Sequence, residues 1–270
     1  MPDDDDIALS EKRMYGEKRD RTEIFVGSAL GVTRVELAGD QVGRFSLARR
    51  DPVTAIAGKA GKLVVGTDED VLVGTGEEFV PTGFGPAATV SVPDGVPVAA
   101  GPDGTVARLE GDDWEAAGSV TNPRRADGDL LLASDGVYRI DDGLTALGGD
   151  DVRDVAAAGP YAATGEGVMR YDGEWERAVE GDCTLVAADG DRVTAASDEG
   201  LFVHREGGWQ IRERPVDAPL ADLAHGECLY AVTADGTVLI DADPELTPDG
   251  QGGWRSRALG VREVVGLAVP

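Results

Sequence analysis

Leu131-Leu132-Ala133-Ser134-Asp135-Gly136-Val137-Tyr138-Arg139-Ile140 reads as two short apolar strands joined by a tight turn. A hydroxyl residue closes the first strand, and a glycine two residues later opens the second. Asp-Gly between apolar runs is a strong hairpin signal, because glycine supplies the positive φ that the turn demands. The unit recurs at Phe25-Val26-Gly27-Ser28 to Gly31, Leu63-Val64-Val65-Gly66-Thr67 to Asp70, and Val98-Ala99-Ala100-Gly101 to Gly104. It returns at Ala162-Ala163-Thr164 to Gly167, Thr194-Ala195-Ala196-Ser197 to Gly200, and Ala231-Val232-Thr233 to Gly236. Six of the seven copies keep the hydroxyl and six keep the glycine, so the column is a repeat and not a coincidence of composition.

Beyond each hairpin comes a second turn, such as Asp172-Gly173 or Gly207-Gly208, and then a strand opening on a large apolar residue. Trp114, Trp175, Trp209 and Trp254 hold that place, with Phe79 and Leu144 in two other repeats. Four short strands per repeat, with turns every ~8–12 residues, belong to a sandwich, barrel or propeller. A period of about 34 residues, repeated seven times, selects the propeller. The predicted fold is all-β: a seven-bladed β-propeller with four-stranded blades. The tryptophans are expected to pack between blades, since buried aromatics dominate such cores. The Ser/Thr column is expected to hydrogen-bond within blades.

The inner strand that opens most repeats, as in Val53-Thr54-Ala55-Ile56 or Val152-Arg153-Asp154-Val155, has no counterpart before Glu23. Val261-Arg262-Glu263-Val264-Val265, at the far end of the chain, matches it. The C-terminal strand is therefore expected to supply the inner strand of blade 1, closing the ring and covering an open sheet edge. The organisation predicted is a charged N-terminal arm over 1–22 and a propeller over 23–270. Blade 1 takes 23–50 plus 261–269, and blades 2 to 4 take 51–86, 87–120 and 121–149. Blades 5 to 7 take 150–180, 181–217 and 218–260.

Fifty-one acidic residues stand against 25 basic ones, for a net charge of −26, and only Lys12, Lys18, Lys59 and Lys62 are lysines. A dense acidic surface holds water and cations in concentrated salt, which screens its self-repulsion. The composition reads as halophilic. Duplex nucleic acid should be repelled by most of this surface. Met1-Pro2-Asp3-Asp4-Asp5-Asp6 is the reverse of a positively charged signal-peptide start, and no run of 18 apolar residues occurs. A cytoplasmic protein without a membrane partner is the expectation.

These repeats resemble the short propeller repeats of bacterial two-component-regulator sensors, the likeness lying in Leu63-Val64-Val65-Gly66-Thr67 and Gly165-Glu166-Gly167-Val168-Met169. From Glu23 to Pro270 the chain also resembles a β-propeller family of halophilic archaea. Its marks include Glu11-Lys12-Arg13, Gly39-Asp40-Gln41-Val42-Gly43 and the acidic, Trp-ended blades. That family carries no assigned activity, so the resemblance implies the fold alone. The WD40 pattern is not met, because Trp114-Glu115 and Trp175-Glu176 stand in a different strand.

Chemistry-bearing motifs are scarce. There is no zinc signature, no Walker loop, no G-x-S-x-G and no H-E-x-x-H. Cys183 opens the inner strand of blade 6 and Cys228 follows that of blade 7, which places them too far apart for a disulfide's ~7 Å limit between Cα atoms. His204 is expected on a third strand and His225 in a bottom-face turn, too far apart to share a ligand. The acidic run Asp241–Asp249 spaces its oxygens like a calcium loop, but Leu246 stands where the loop needs glycine and Gly252 where it needs glutamate. It reads as a solvated loop, with no metal and no cofactor expected.

The arginines are more informative. Arg49, Arg50, Arg124, Arg125, Arg153, Arg212, Arg214, Arg257 and Arg262 all fall where one blade hands over to the next. In blade 4 an apolar inner strand is replaced by Thr121-Asn122-Pro123-Arg124-Arg125, with the two arginines at the positions of Val155 and its neighbour. The expected site is the rim of the channel: Arg124, Arg125, Arg153 and Arg262, with Asp154, Asp222 and Glu263 between them. Guanidinium forks there would suit a small anion or an acidic peptide. The bland alternative is that each arginine pairs with an acid and staples the ring. The function expected is a monomeric, non-catalytic scaffold for such a ligand or for a protein partner. An enzyme, a lyase or hydrolase acting on a small anion at the channel mouth, is the alternative. Thermal melts test the salt reading: the midpoint should climb with KCl well beyond the ~0.15 M at which most surface charge is already screened, and an unchanged midpoint at molar KCl would refute it.

Overall fold

The computed structural model describes residues 21–39, 41–205, 208–242 and 253–270. They form seven antiparallel four-stranded sheets. The inner strands are Ala55–Lys59, Thr89–Ser91, Pro123–Asp127, Val152–Ala156, Cys183–Asp189 and Leu220–His225 for blades 2 to 7. Blade 1 takes its inner strand from Val264–Ala268, which pairs with Arg21–Ser28. A single 3-10 turn at Pro93–Gly95 is the one helical segment among the described residues. The N-terminal strand begins at Arg21, two residues before the expected boundary of the arm; residues 1–20 and the acidic run from Asp243 lie outside the described residues.

Each strand sends alternate side chains to opposite faces of its blade, and no blade has a polar face to spare. Seven apolar clusters result, one per junction. Leu130, Leu132 and Val137 of blade 4 meet Val152, Val155 and Ala162 of blade 5. Ile24, Val26 and Val35 of blade 1 meet Tyr230, Val232 and Ile240 of blade 7. The tryptophans sit half-buried against these clusters, Trp175 donating its indole N–H to Leu147 O at 3.0 Å in the preceding blade. Outside blade 4 the hydroxyl closes the turn of its own blade, Thr164 Oγ1 donating to Gly167 O at 2.9 Å and Ser197 Oγ to Gly200 O at 3.1 Å, whereas Ser134 Oγ donates to Thr121 O at 2.8 Å.

The glycine column has two causes. Gly167 has φ +145°, and a Cβ there would collide with the carbonyl of Val179 at the end of the outer strand. Blade 2 solves the same turn with Asp70, whose carboxylate accepts from Val71 N at 2.8 Å, Gly83 N at 2.9 Å and Gly85 N at 3.1 Å.

Closure follows the expected connection in a different register. Val264 stands opposite Ser28 and Gly266 opposite Gly27, as Val152 stands opposite Thr164 and Asp154 opposite Ala163. Val261-Arg262-Glu263 therefore precedes the strand, three residues out of step with Val152-Arg153-Asp154. Leu267 and Ala268 are buried between blades 7 and 2. Truncation after Glu263 should leave Arg21–Ser28 an open edge and replace the cooperative unfolding transition by a broad one in circular dichroism; a melt like that of the full chain would refute the closing role.

Candidate functional site

The innermost strand of every blade is a sheet edge, so its free backbone groups face the lumen or the next blade and need partners. In blades 4, 5, 6, 7 and 1 that strand carries a bulge, at Arg124, Arg153, Thr184, Ala221 and Val265. A bulge re-aims the residues around it. The two bulged arginines do the same work: Arg124 donates to Val152 O and Arg153 to Cys183 O, each the first residue of the next inner strand.

The residues after the bulge form one tier: Arg125, Asp154, Leu185, Asp222 and Gly266. The expectation that aligned Arg125 with Val155 is corrected here. Ala133 pairs with the turn residue Gly136 as Thr164 pairs with Gly167, so Arg125 opposite Leu132 holds the place of Asp154 opposite Ala163; Ser134 lies one residue further into its turn than Thr164, and a count back from it is off by one. Pro123 opens the strand, a position that asks for no donated hydrogen bond.

Three members of the tier converge. Arg125 Nε lies 3.0 Å from Asp154 Oδ1 of the adjacent blade, and its NH2 reaches Asp222 Oδ1 of blade 7. The aspartates carry the connection onward. Asp154 Oδ2 accepts Val186 N of blade 6 at 2.9 Å, and Asp222 Oδ2 accepts Leu267 N of blade 1 at 2.7 Å. One arginine thus links blades 4, 5 and 7 directly and blades 6 and 1 at one remove. Gly266 leaves room for this, since a Cβ there would stand 3.3 Å from Asp222 Oδ2.

The electrostatics follow. Burial works against the Arg125 charge, but Asp154 and Asp222 outweigh it and raise its pKa above the usual arginine value. Burial, seconded by the Asp222 charge, lifts Asp154 to about 6 against the pull of Arg125. Asp127 opens on the lumen yet is walled by protein; desolvation raises its pKa, although it accepts Ala157 N at 2.7 Å. His225 lines the same lumen, pushed down to about 4 by burial and by Arg192 and Arg205 against the opposing pull of Asp189.

The lumen itself encloses about 680 Å³, and ten of its lining residues are alanines, whose short side chains leave it open. Arg124, Arg125 and Asp222 line it; Asp154 lies behind Arg125. Arg153, Arg262 and Glu263 do not join them. Arg153 pairs with Asp182 and with Asp151 at 3.7 Å, and the register shift leaves Arg262 and Glu263 exposed in the connection before the closing strand. Lys59 and His225 were missed as lining residues, although their positions at the ends of inner strands were readable from the repeat.

On the upper face, where outer strands cross to inner ones, Arg49 pairs with Asp51 and Arg212 with the buried Asp241. Arg257 lies over the Phe45 ring at 5.8 Å. Arg50, Arg124, Arg214 and Arg262 have no carboxylate within 4.0 Å among the described residues. Cys183 and Cys228 are buried and not joined in a disulfide, and no metal-ligating cluster occurs among the described residues. No described helix is long and apolar enough to cross a membrane.

The fold defines the class, a closed seven-bladed β-propeller. The chain belongs to the family described as "Beta-prop_HVO_0234:-like, beta propeller", of the halophilic archaeal type, which matches residues 8–270. Among curated proteins no sequence matches. Solved structures share the fold at low identity. The computationally designed Ika8 protein is 19% identical with a TM-score of 0.60, over 91% of this chain and 86% of that one. The nidogen/laminin complex gives 11% and 0.56, over 92% and 97%. YCF48 bound to D1 peptide gives 16% and 0.57, over 78% and 83%.

Linkage makes the tier testable by pH. A carboxyl whose folded pKa is raised binds protons more tightly in the native state, so Asp154 adds stability as pH falls from about 6 toward about 4. His225, depressed to about 4, does the reverse over the window from about 6.5 down to about 4. Asp154→Asn should therefore remove a stabilising contribution at pH 5, and His225→Gln a destabilising one. Melts of both variants at pH 7 and pH 5 check the two signs; equal pH shifts in variants and parent would refute the assignment.

Proposed function

We propose that the protein is a non-catalytic scaffold that holds an acidic peptide or another anionic ligand on the upper face of the ring. The observation that carries the reading is the set Arg50, Arg124, Arg214 and Arg262, without carboxylate partners on a molecule of net charge −26. Arg44, Arg170, Arg205 and Arg257 also lack a carboxylate within 4.0 Å among the described residues, but Arg50, Arg124, Arg214 and Arg262 share one face of the ring, and a guanidinium fork donates bidentately to a carboxylate. The propeller fold itself commonly serves binding, and YCF48, similar in fold alone, is a structure with a bound peptide. The scaffold reading is favoured over an enzyme by the two carboxylates of raised pKa. Asp127 and Asp154 are each tied to a backbone N–H of the next blade, which fits a stapling role better than proton transfer. In this reading Arg125, Arg153, Asp154 and Asp222 hold the ring, and the ligand takes the free guanidiniums.

The test is fluorescence anisotropy with a labelled oligoglutamate peptide at moderate KCl. Replacing Arg50, Arg214 and Arg262 together with alanine, and leaving Arg124 on Val152 O, should weaken binding by ~10-fold or more, about 1.4 kcal/mol, with an unchanged melt. Equal affinity of variant and parent would overturn the proposal.

A further inference from the structure

The turns that join the second and third strands of each blade lie on this same upper face. The residue before the turn glycine, or before Asp70 in blade 2, is Glu69, Asp103, Asp135, Glu166, Glu199 and Asp235 in blades 2 to 7. In blade 1 it is Leu30. That leucine is 55% exposed, against a rule of the repeat that six sister blades obey with an acid. An acid at an exposed turn tip costs nothing and keeps water in place; a leucine there surrenders both advantages unless something covers it.

Nothing in the turn requires the leucine. Leu30 N donates to Ser28 Oγ at 3.3 Å, as Glu166 N does to Thr164 Oγ1 at 3.2 Å, so backbone and cap are alike in the leucine and acidic versions. Only the side chain differs. Leu30 also has company: of the five exposed large apolar side chains among the described residues, Leu30, Phe45 and Leu47 belong to blade 1.

The surroundings give the chemistry of the partner. Ala29 N donates to Glu263 O at 3.3 Å, which fixes the turn beside the connection bearing Arg262. A Cβ on Gly31 would stand 3.0 Å from Arg50 Cα, so the turn's other flank packs on the segment bearing Arg50. The exposed leucine is thus bracketed by two of the arginines that lack a carboxylate partner. We infer that the ring-closing blade carries a docking patch for an acidic peptide segment with an apolar anchor residue, which covers Leu30 while flanking carboxylates engage Arg50 and Arg262. The inference rests on the arginine-face reading above and adds to it a place and an apolar specificity.

The test compares two labelled peptides on the full chain, oligoglutamate and the same peptide with one central leucine. Leu30→Gln removes the apolar contact without adding charge, and Leu30→Glu restores the residue type of the sister blades. Both should fold like the parent, because the side chain is exposed and the acidic turn is the commoner form. Leu30→Gln should weaken the leucine-bearing peptide about tenfold, the worth of a partly buried leucine, and leave oligoglutamate unchanged. In molar KCl, where charge is screened within ~3 Å, the preference for the leucine-bearing peptide should persist. If Leu30→Gln binds both peptides as the parent does while Arg50→Ala with Arg262→Ala weakens both, the patch is overturned and the arginine face stands. If the parent binds neither peptide, both readings fall.

Discussion

A blade of this protein cannot bury itself. Its strands are apolar on both faces, and the two faces need different neighbours, so each sheet is stable only as a member of a closed series. The seven apolar clusters at the seven junctions express that constraint. It explains why the last strand of the chain must return to the first blade, where Leu267 fills the junction with blade 7 and Ala268 that with blade 2. It also explains the glycine column, since the outer strand's end must pass close over the turn to reach the next blade.

Closure creates a second requirement at the centre. Seven inner strands present seven sheet edges to a narrow lumen. The protein answers with side chains from the neighbouring blade: Thr54 Oγ1 on Ala87 O at 2.6 Å, Asp127 on Ala157 N, Asp154 on Val186 N, Asp222 on Leu267 N. Two aspartates placed so close together would repel in a medium poor in water. Arg125 stands between them, and the raised pKa of Asp154 records how incompletely one guanidinium offsets burial plus a second carboxylate.

The upper face is what remains after these internal demands are met. Arginines are consumed as staples at Arg124, Arg125, Arg153 and Arg212, whereas Arg50, Arg214 and Arg262 have no carboxylate within 4.0 Å among the described residues. The division follows from reach. A guanidinium on a strand finds the next blade's carbonyl or carboxylate within its length, as at Arg124, Arg125, Arg153 and Arg212, and the three without an acid stand on crossover connections.

The sequence by itself determined the number of blades, the order of strands within them and the identity of the closing segment. These depend on local periodicity and on turn chemistry repeated seven times, which no tertiary contact can disguise. It also told the packing roles of Trp175 and of the Ser/Thr column, because equivalent positions in a ring share an environment. What it misjudged was register. Val261-Arg262-Glu263-Val264 resembles Val152-Arg153-Asp154-Val155 in residue type but pairs three residues later, and Ser134 sits one residue further into its turn than Thr164, so a count back from it places Arg125 one residue past the tier of Asp154 that it occupies. Hydrogen-bond pairing across strands decides register, and a one-residue change in where a strand ends leaves little mark in composition. Only the tertiary structure could therefore show that Arg125 spans the lumen to Asp222, 97 residues away, while Arg262 and Glu263 stay outside it.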